Sequence, residues 1–585
     1  MKNKRIADLQ RKLIDNNLDV YYLNSCDYHL SEYVPVYFRT IAYFAGFTGS
    51  VSTLLVDREK AYIFVDGRYH LQAEQECVPN DVEVIKLGTE GALNPEDFLA
   101  EDYKGKTVGL DGKRTSIDFA KKLREKGLNI RSLDLYSDLI ENRAPLKRDK
   151  LKELEIEYTG QSRMEKLDNV RYCLDGKVHI INNLESIAYL LNLRGNDIAY
   201  TPVFMSFLIF YEDDVYFFID VERLKAETLD SLYEDGIIIR PYGSYYEFLK
   251  TIRKKTVLLD EYKVNYETYR NLKRRGNTII HMTSIVEEMK AIKNDTEIEN
   301  IIKANVYDGV AMVKFLKWMD SQDKESLDEY EVADTLNGYR LGYKAFDLSF
   351  NPIVAYNANA AMMHYGPTPE KCSKLKNEGI PLIDSGGQYK EGTTDITRTF
   401  ALGPVSDEVK KHFTLVLKSM FNLSEVKFMS GLSGKQLDIL ARKDLWEEGI
   451  DYRCGTGHGV GQVLSVHEAP PNIRYMKTAA GSEDYPLRPG HVVTDEPGVY
   501  LEGKYGIRCE NMLLVRKDIA NEYGQFLSFR TLTMCPFDLK LIDKRYLDDK
   551  SIAALNRYHK EVYETLAPYL NDEEKEYLKK ATREI

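Results

Sequence analysis

The chain has no Cys-x-x-Cys pair, no apolar run near the roughly 20 residues of a membrane span, no excess of positive charge and no low-complexity tract. Each absence removes a class of function. The seven cysteines, Cys26, Cys77, Cys173, Cys372, Cys454, Cys509 and Cys535, are odd in number and scattered. Such a pattern excludes a zinc ribbon or a redox dithiol of that type and reads as reduced thiols of a cytoplasmic protein. A net charge of −12 with a pI near 5.6 gives no long-range attraction to phosphate backbones, so no nucleic-acid partner is expected. The opening MKNKRIADLQRKLIDNN turns from basic residues into a charged amphipathic helix without the apolar centre of a signal peptide. Neither export nor a membrane is expected.

What is present is an ordinary globular composition, 43% apolar and 29% charged, in 585 residues, which is more than one hydrophobic core usually serves. The chain also resembles itself. IAYFAGFTG (Ile41 to Gly49) is echoed by IAYLLNLRG (Ile187 to Gly195), and LLVDREKAYIFVDGRYHLQAE (Leu54 to Glu74) by LIFYEDDVYFFIDVERLKAE (Leu208 to Glu227). In both copies an apolar strand, a charged turn and a second strand lead into a polar helix, the pattern of an α/β unit. A proline and a basic run interrupt the periodicity at RAPLKRDKLK (Arg143 to Lys152). At Asn294 a long amphipathic helix is expected to begin, with Asn294 and Glu297 as a capping box. The expected fold class is α/β (α+β): two related domains, 1–145 and 146–292, then a domain over 293–585 whose charged helical end, 533–585, reads as an appendage.

Chemistry concentrates in three stretches of the last domain. PLIDSGGQYKEGTTDITRTFAL (Pro381 to Leu402) reads as a hairpin with Asp384 in one arm and Asp395 in the other. VVTDEPGVYLEGKYGIRCENMLLV (Val492 to Val515) repeats the arrangement with Glu496 and Glu510. CGTGHGVGQVLSVHEAP (Cys454 to Pro470) surrounds His458 with glycines that allow close backbone approach and leave the imidazole room to ligate, and His467 follows. Taken singly, each acid could be surface charge and His458 a buried structural histidine. Taken together they resist that reading, because carboxylates crowded into an apolar site need large pKa shifts or a compensating cation.

Charge counting sets the number of cations. Four carboxylates and a neutral imidazole carry about four negative charges, which two divalent ions balance. An oxygen-rich set with one histidine suits Mn²⁺, with Co²⁺ or Zn²⁺ as substitutes. Such a pair would make hydroxide at neutral pH by lowering the pKa of water from about 15.7 toward 7, on the order of 12 kcal/mol of activation.

The motifs LIDSGGQY, GTTDITRTF, GTGHGVG, VHE, TDEPGVY and GIRCEN, in this order and spacing, resemble the pita-bread metallopeptidase family, and within it the long three-domain aminopeptidase P branch. The likeness extends outside them. RTIAYFAGFTGS with FVDGRYHLQAE and SIAYLLNLRGNDIAYTPVF look like that branch's two creatinase-like N-terminal domains, and TLTMCPFDLKLID with LNRYHKEVYETLAPYL like its C-terminal extension. The resemblance implies a pita-bread catalytic domain, a homodimer, and hydrolysis of the N-terminal Xaa-Pro bond of peptides with proline at the second position, through a hydroxide bridging two metals. It implies Asp384, Asp395, His458, Glu496 and Glu510 as ligands, with Asp395 and Glu510 bridging, Glu496 as general base, and His364 and His467 as catalytic groups that, with His458, bind substrate. The plain alternatives are a capping role for His364 and a core role for His467. Cys454 stands where relatives often carry a histidine, which puts the shape of one subsite in doubt, and Arg39 and Arg68 are the candidates for a substrate-contacting first-domain arginine. Competing expectations are a prolidase-type dipeptidase, a methionine aminopeptidase, and a catalytically silent peptide- or histone-binding module of the same fold.

Overall fold

In the computed structural model, residues 3–477 and 482–585 are described. The chain divides into two compact units, one of Met1–Ile156 with Gln161–Glu287, the other of Glu157–Gly160 with Glu288–Ile585.

The first unit holds two six-stranded sheets with one topology. The first sheet runs in the order Glu83–Lys86, Ala61–Val65, Thr53–Asp57, Val20–Asn24, Thr107–Leu110, Asn129–Ser132. The second runs Ile237–Arg240, Asp214–Phe218, Phe207–Tyr211, Val178–Ile181, Thr256–Leu259, Thr278–His281. In each, the strand third in the order is antiparallel to both its neighbours and the remaining contacts are parallel. The duplication seen in the sequence is therefore a duplication of structure. The repeated strand–turn–strand segments are the antiparallel hairpins of the two sheets, and their apolar residues are buried because helices cover the parallel parts on both faces.

The second unit opens on the expected helix, Asp295–Ser321, with Asn294 accepting from the Glu297 amide and the Glu297 carboxylate accepting from the Asn294 amide. A six-stranded antiparallel sheet follows the order Lys427–Met429, Gly524–Thr531, Asn511–Asn521, Val492–Asp495, Gly457–Gly459, Glu468–Ile473. A three-stranded sheet is made by Ile353–Tyr356, Pro381–Ser385 and Ile396–Thr399. The charged C-terminal sequence is more than an appendage. Its helix Asp549–Leu566 buries Leu555, Val562 and Leu566 completely, in one cluster with Val310, Val313, Phe413 and Met420. The stripe at positions i, i+7 and i+11 is an apolar helix face that the surrounding charge conceals in a composition reading.

Candidate active site

Three of the four acids of the two expected hairpins lie where a strand ladder breaks. Asp384 is within Pro381–Ser385, paired with Thr397, and Asp395 immediately precedes Ile396–Thr399. Between the arms the chain forms a separate ladder, Gly387–Tyr389 with Gly392–Thr393. The second hairpin breaks likewise. Its outer ladder ends at Asp495 opposite Asn511, its inner ladder starts at Gly498 opposite Arg508, and Glu496 and Glu510 occupy the gap. Asp395, Glu496 and Glu510, outside ladder pairing, can turn toward one point, whereas Asp384 lies in a strand paired on both sides.

The two hairpins are stitched together by the residues between the acids. The Glu510 amide donates to the Thr397 carbonyl at 3.2 Å, and the Thr397 hydroxyl donates to Glu510 Oε2 at 2.7 Å. Arg508 is 3% exposed; its Nη2 donates to Asp384 Oδ2, Nε to the Thr397 hydroxyl at 3.0 Å, and Nη1 to the Tyr500 hydroxyl at 2.6 Å.

His458 is delivered by the short strand Gly457–Gly459, inserted beside Val492–Asp495. The glycines are there for contact. A Cβ on Gly457 would stand 2.0 Å from the Thr494 carbonyl oxygen and one on Gly459 2.3 Å from that of Glu468. His458 Nδ1 lies 2.9 Å from the Gly459 carbonyl oxygen, which fixes the proton there and leaves Nε2 as the free donor atom. Nε2 lies 3.4 Å from Asp395 Oδ2 and 3.5 Å from Glu496 Oε1. Asp395, His458 and Glu510 each place a ligating atom within 4.8 Å of the others. Three of the five residues singled out in the sequence thus come together, with Glu496 beside His458 and Asp384 tied to the same hairpins through Arg508.

Electrostatically this place is unbalanced. Burial, with the charges of Asp384 and Glu496, raises Asp395 to about 6 against the hydrogen bond from His458. Burial, then Asp395, Glu496 and Asp384, raise Glu510 well above the usual carboxylate range despite Arg508. Burial alone would lower His458, but the Asp395 hydrogen bond and the charges of Glu496 and Asp395 carry it to about 9. Asp384 Oδ1 is buried without a hydrogen-bond partner among the described residues. Four carboxylates, one of them with an orphaned oxygen, and one imidazole nitrogen are the donor chemistry of a divalent metal site, and the residues present fit one.

The other predicted residues are placed less uniformly. His467 packs edge-on against His458, ring centroids 4.3 Å apart. His364 lies half-buried in the turn after Asn357–Ala361, a segment so close to the Arg508 strand that a Cβ on Gly506 would stand 1.9 Å from the Ala360 carbonyl oxygen. Cys454 is half-buried, its carbonyl accepting from Arg442 Nη2 at 2.7 Å. In the first unit Arg39 is exposed, and Arg68 is engaged by Asp66 at 2.9 and 2.7 Å.

Sequence reasoning missed several supporting groups. Arg508 and Thr397 lie inside GIRCEN and GTTDITRTF, motifs in which only the acids stand out by their chemistry. Glu468, after His467, is clamped by Lys290 Nζ at 3.0 Å and by Lys293, all three side chains at most 4% exposed. No spacing signal announces those lysines. Asp495, beside Glu496, is fully buried with neither carboxyl oxygen partnered among the described residues, and burial, then the charge of Glu496, pushes it well above the usual carboxylate range.

With the geometry in view, the comparisons with known proteins are specific. The model of metallopeptidase family M24 matches residues 299–517, the C-terminal region of peptidase M24 matches 525–585, and creatinase/prolidase N-terminal domains match 5–142 and 142–297. A Neurospora crassa protein named Probable Xaa-Pro aminopeptidase P is 36% identical over 97% of this chain and 87% of its own. The chain belongs to metallopeptidase family M24. A Coprinopsis cinerea member with the same printed name is 34% identical over 100% of this chain and 98% of its own. Among solved M24 structures, the X-prolyl aminopeptidase of Caenorhabditis elegans, described as a cytosolic enzyme with a di-nuclear active site, superposes with a TM-score of 0.93 at 30% identity, covering 100% of this chain and 99% of that one. The Xaa-Pro dipeptidase of Bacillus anthracis reaches a TM-score of 0.51 at 25% identity and covers 65% of this chain.

Proposed function

We propose that this M24 member is a cytoplasmic, homodimeric Xaa-Pro aminopeptidase that hydrolyses the bond between the first residue of a peptide and a proline at the second position, using two divalent ions, Mn²⁺ foremost. The observation that carries the reading is the convergence of Asp395, His458 and Glu510 donor atoms within 4.8 Å, with Glu496 beside His458 and Asp384 held by Arg508. The full-length likeness to proteins named for Xaa-Pro aminopeptidase activity supports the substrate class, since the dipeptidase likeness covers only 65% of the chain. No helix among the described residues is long and apolar enough to cross a membrane.

Asp384, Asp395, His458, Glu496 and Glu510 would hold the pair. When bound, the ions supply Lewis acidity that lowers the pKa of water toward 7 and polarises a carbonyl. Glu496 takes the proton of the attacking water and returns it to the leaving nitrogen. The Thr494 hydroxyl, 3.2 Å from Glu496 Oε1, orients that carboxylate for the transfer. His467, braced against His458, and His364 donate to the scissile carbonyl oxygen as charge builds there, a contribution of typically about 10²–10⁴-fold. The proline ring, lacking an N–H and fixed in φ, is read by shape and not by strand-like hydrogen bonding.

Incubation with Mn²⁺ and three peptides, Xaa-Pro, Xaa-Pro-Xaa and Met-Xaa-Xaa, tests this. Cleavage of Xaa-Pro-Xaa is expected to be fastest. Rapid cleavage of the dipeptide alone would establish a dipeptidase, and protein that binds no manganese by elemental analysis would point to a binding module.

A further inference from the structure

Arg398 follows Asp395 by three residues, is 2% exposed, and spends every N–H it has. Its Nη1 donates to the carbonyls of Thr397 at 2.9 Å and Glu510 at 2.6 Å. Its Nη2 donates to Asn511 Oδ1 at 2.9 Å, to the Cys535 carbonyl at 2.8 Å and to the Tyr558 hydroxyl at 2.9 Å, while Nε reaches the Pro536 carbonyl at 3.3 Å. The Phe537 ring lies 3.9 Å from the guanidinium carbon. These partners fall into two groups. Thr397, Glu510 and Asn511 belong to the two acid-bearing hairpins, and Cys535, Pro536, Phe537 and Tyr558 belong to the C-terminal extension.

The Tyr558 hydroxyl is itself fixed, accepting from the Cys535 amide at 3.2 Å and lying 3.0 Å from the Thr533 carbonyl oxygen. The extension therefore presents a rigid set of acceptors to one cation whose other arm grips the backbone of Glu510. A planar guanidinium saturated in this way transmits position, because moving any partner leaves a buried donor unsatisfied. Carboxylate ligands are sensitive to such support, and loss of an outer hydrogen bond typically costs about 10–100-fold in metal affinity.

We propose that Arg398 is a positioning residue for Glu510, and that the C-terminal extension sets the metal affinity of the site through Tyr558 and the carbonyls of Cys535 and Pro536. The proposal rests on the two-metal reading above. It assigns the extension a part in metal retention that its distance from the acids in sequence conceals.

The test is titration of full-length, metal-stripped protein with Mn²⁺, read by calorimetry and by elemental analysis after gel filtration, for wild type, Arg398→Lys, Tyr558→Phe and Val562→Ala. Val562 is a fully buried residue of the same extension helix, one turn beyond Tyr558, and has no part in the Arg398 network. Arg398→Lys is expected to bind Mn²⁺ about 10–100-fold more weakly. Tyr558→Phe, which keeps its ring in place and covers the case in which Arg398→Lys does not fold, is expected to lose several-fold, with turnover restored by excess Mn²⁺ and KM unchanged. Val562→Ala is expected to melt earlier with wild-type Mn²⁺ affinity. Wild-type affinity in folded Tyr558→Phe, or an equal loss in Val562→Ala, would overturn the proposal. A wild-type protein that takes up no Mn²⁺ would instead overturn the two-metal reading and this inference with it.

Discussion

Two buried carboxylate sites, one in each unit, are closed in opposite ways. In the first, Asp197 is closed upon itself: it accepts from Arg223 at 2.7 and 2.5 Å and from the Met205 amide at 2.7 Å, with both charged side chains at most 5% exposed. In the second, Asp395 and Glu510 are just as buried, yet Asp395 has His458 alone against the charges of Asp384 and Glu496, and Glu510 has Arg508 against three acids. A buried charge with its partner built in is finished structure. A group of buried acids with too few partners is a receptor, because only something from outside can balance it. Arg508 marks the boundary between the two designs, binding Asp384 through one oxygen and leaving the other orphaned.

The sharpest way to break this contrast is Asp395→Asn, which changes the charge of a proposed ligand without changing its volume. Activity against Xaa-Pro-Xaa is expected to fall by at least about 10⁴-fold, since on the order of 12 kcal/mol of water activation is at stake, while circular dichroism stays native. Near-normal turnover under limiting manganese would remove Asp395 from the site.

The reciprocal change in the first unit is Asp197→Asn. Losing one partner of a buried pair is expected to destabilise by about 3–5 kcal/mol in denaturant titrations, with manganese content of the folded protein unchanged. A loss of metal there would show that the two buried acids are not independent.

Between these lies Arg508→Lys, which replaces a fork reaching Thr397, Tyr500 and Asp384 by a single ammonium. We expect Mn²⁺ affinity to weaken by about 10–100-fold in calorimetry with the fold retained. Unaltered affinity would mean that Asp384 needs no such support.

The smallest effect is in pH. In metal-free protein the folded-state pKa of Asp395, about 6, lies above its unfolded value, so its contribution to stability is complete below about 4 and is lost as pH rises through 6. His458, raised to about 9, acts in the same sense, its contribution complete below about 6.5 and lost through 9. The melting temperature of metal-free wild type relative to metal-free Asp395→Asn should therefore drop between about pH 4 and 7, and the stabilisation by added Mn²⁺ should grow over the same range as ligands shed protons. A pH-independent manganese effect would contradict proton displacement.

Much was legible from residues alone. The repeated segments at Leu54 and Leu208 announce two copies of one sheet, because alternating burial and turn chemistry are local properties that survive divergence. The helix starting at Asp295 follows from its capping pair for the same reason. The convergence of Asp395, His458 and Glu510 was foreshadowed too, since an acid held in an apolar hairpin or a histidine set among glycines is costly without a purpose. Which partners orient those residues was not. Arg398 meets Tyr558, and Glu468 meets Lys290 and Lys293, across more than a hundred positions of chain. Such contacts leave no periodicity and no spacing. Local pattern named the acids and their hairpins, and only the packing of distant elements decided where each carboxylate points and what holds it there, because direction in space is set by three-dimensional neighbours that a linear order does not contain.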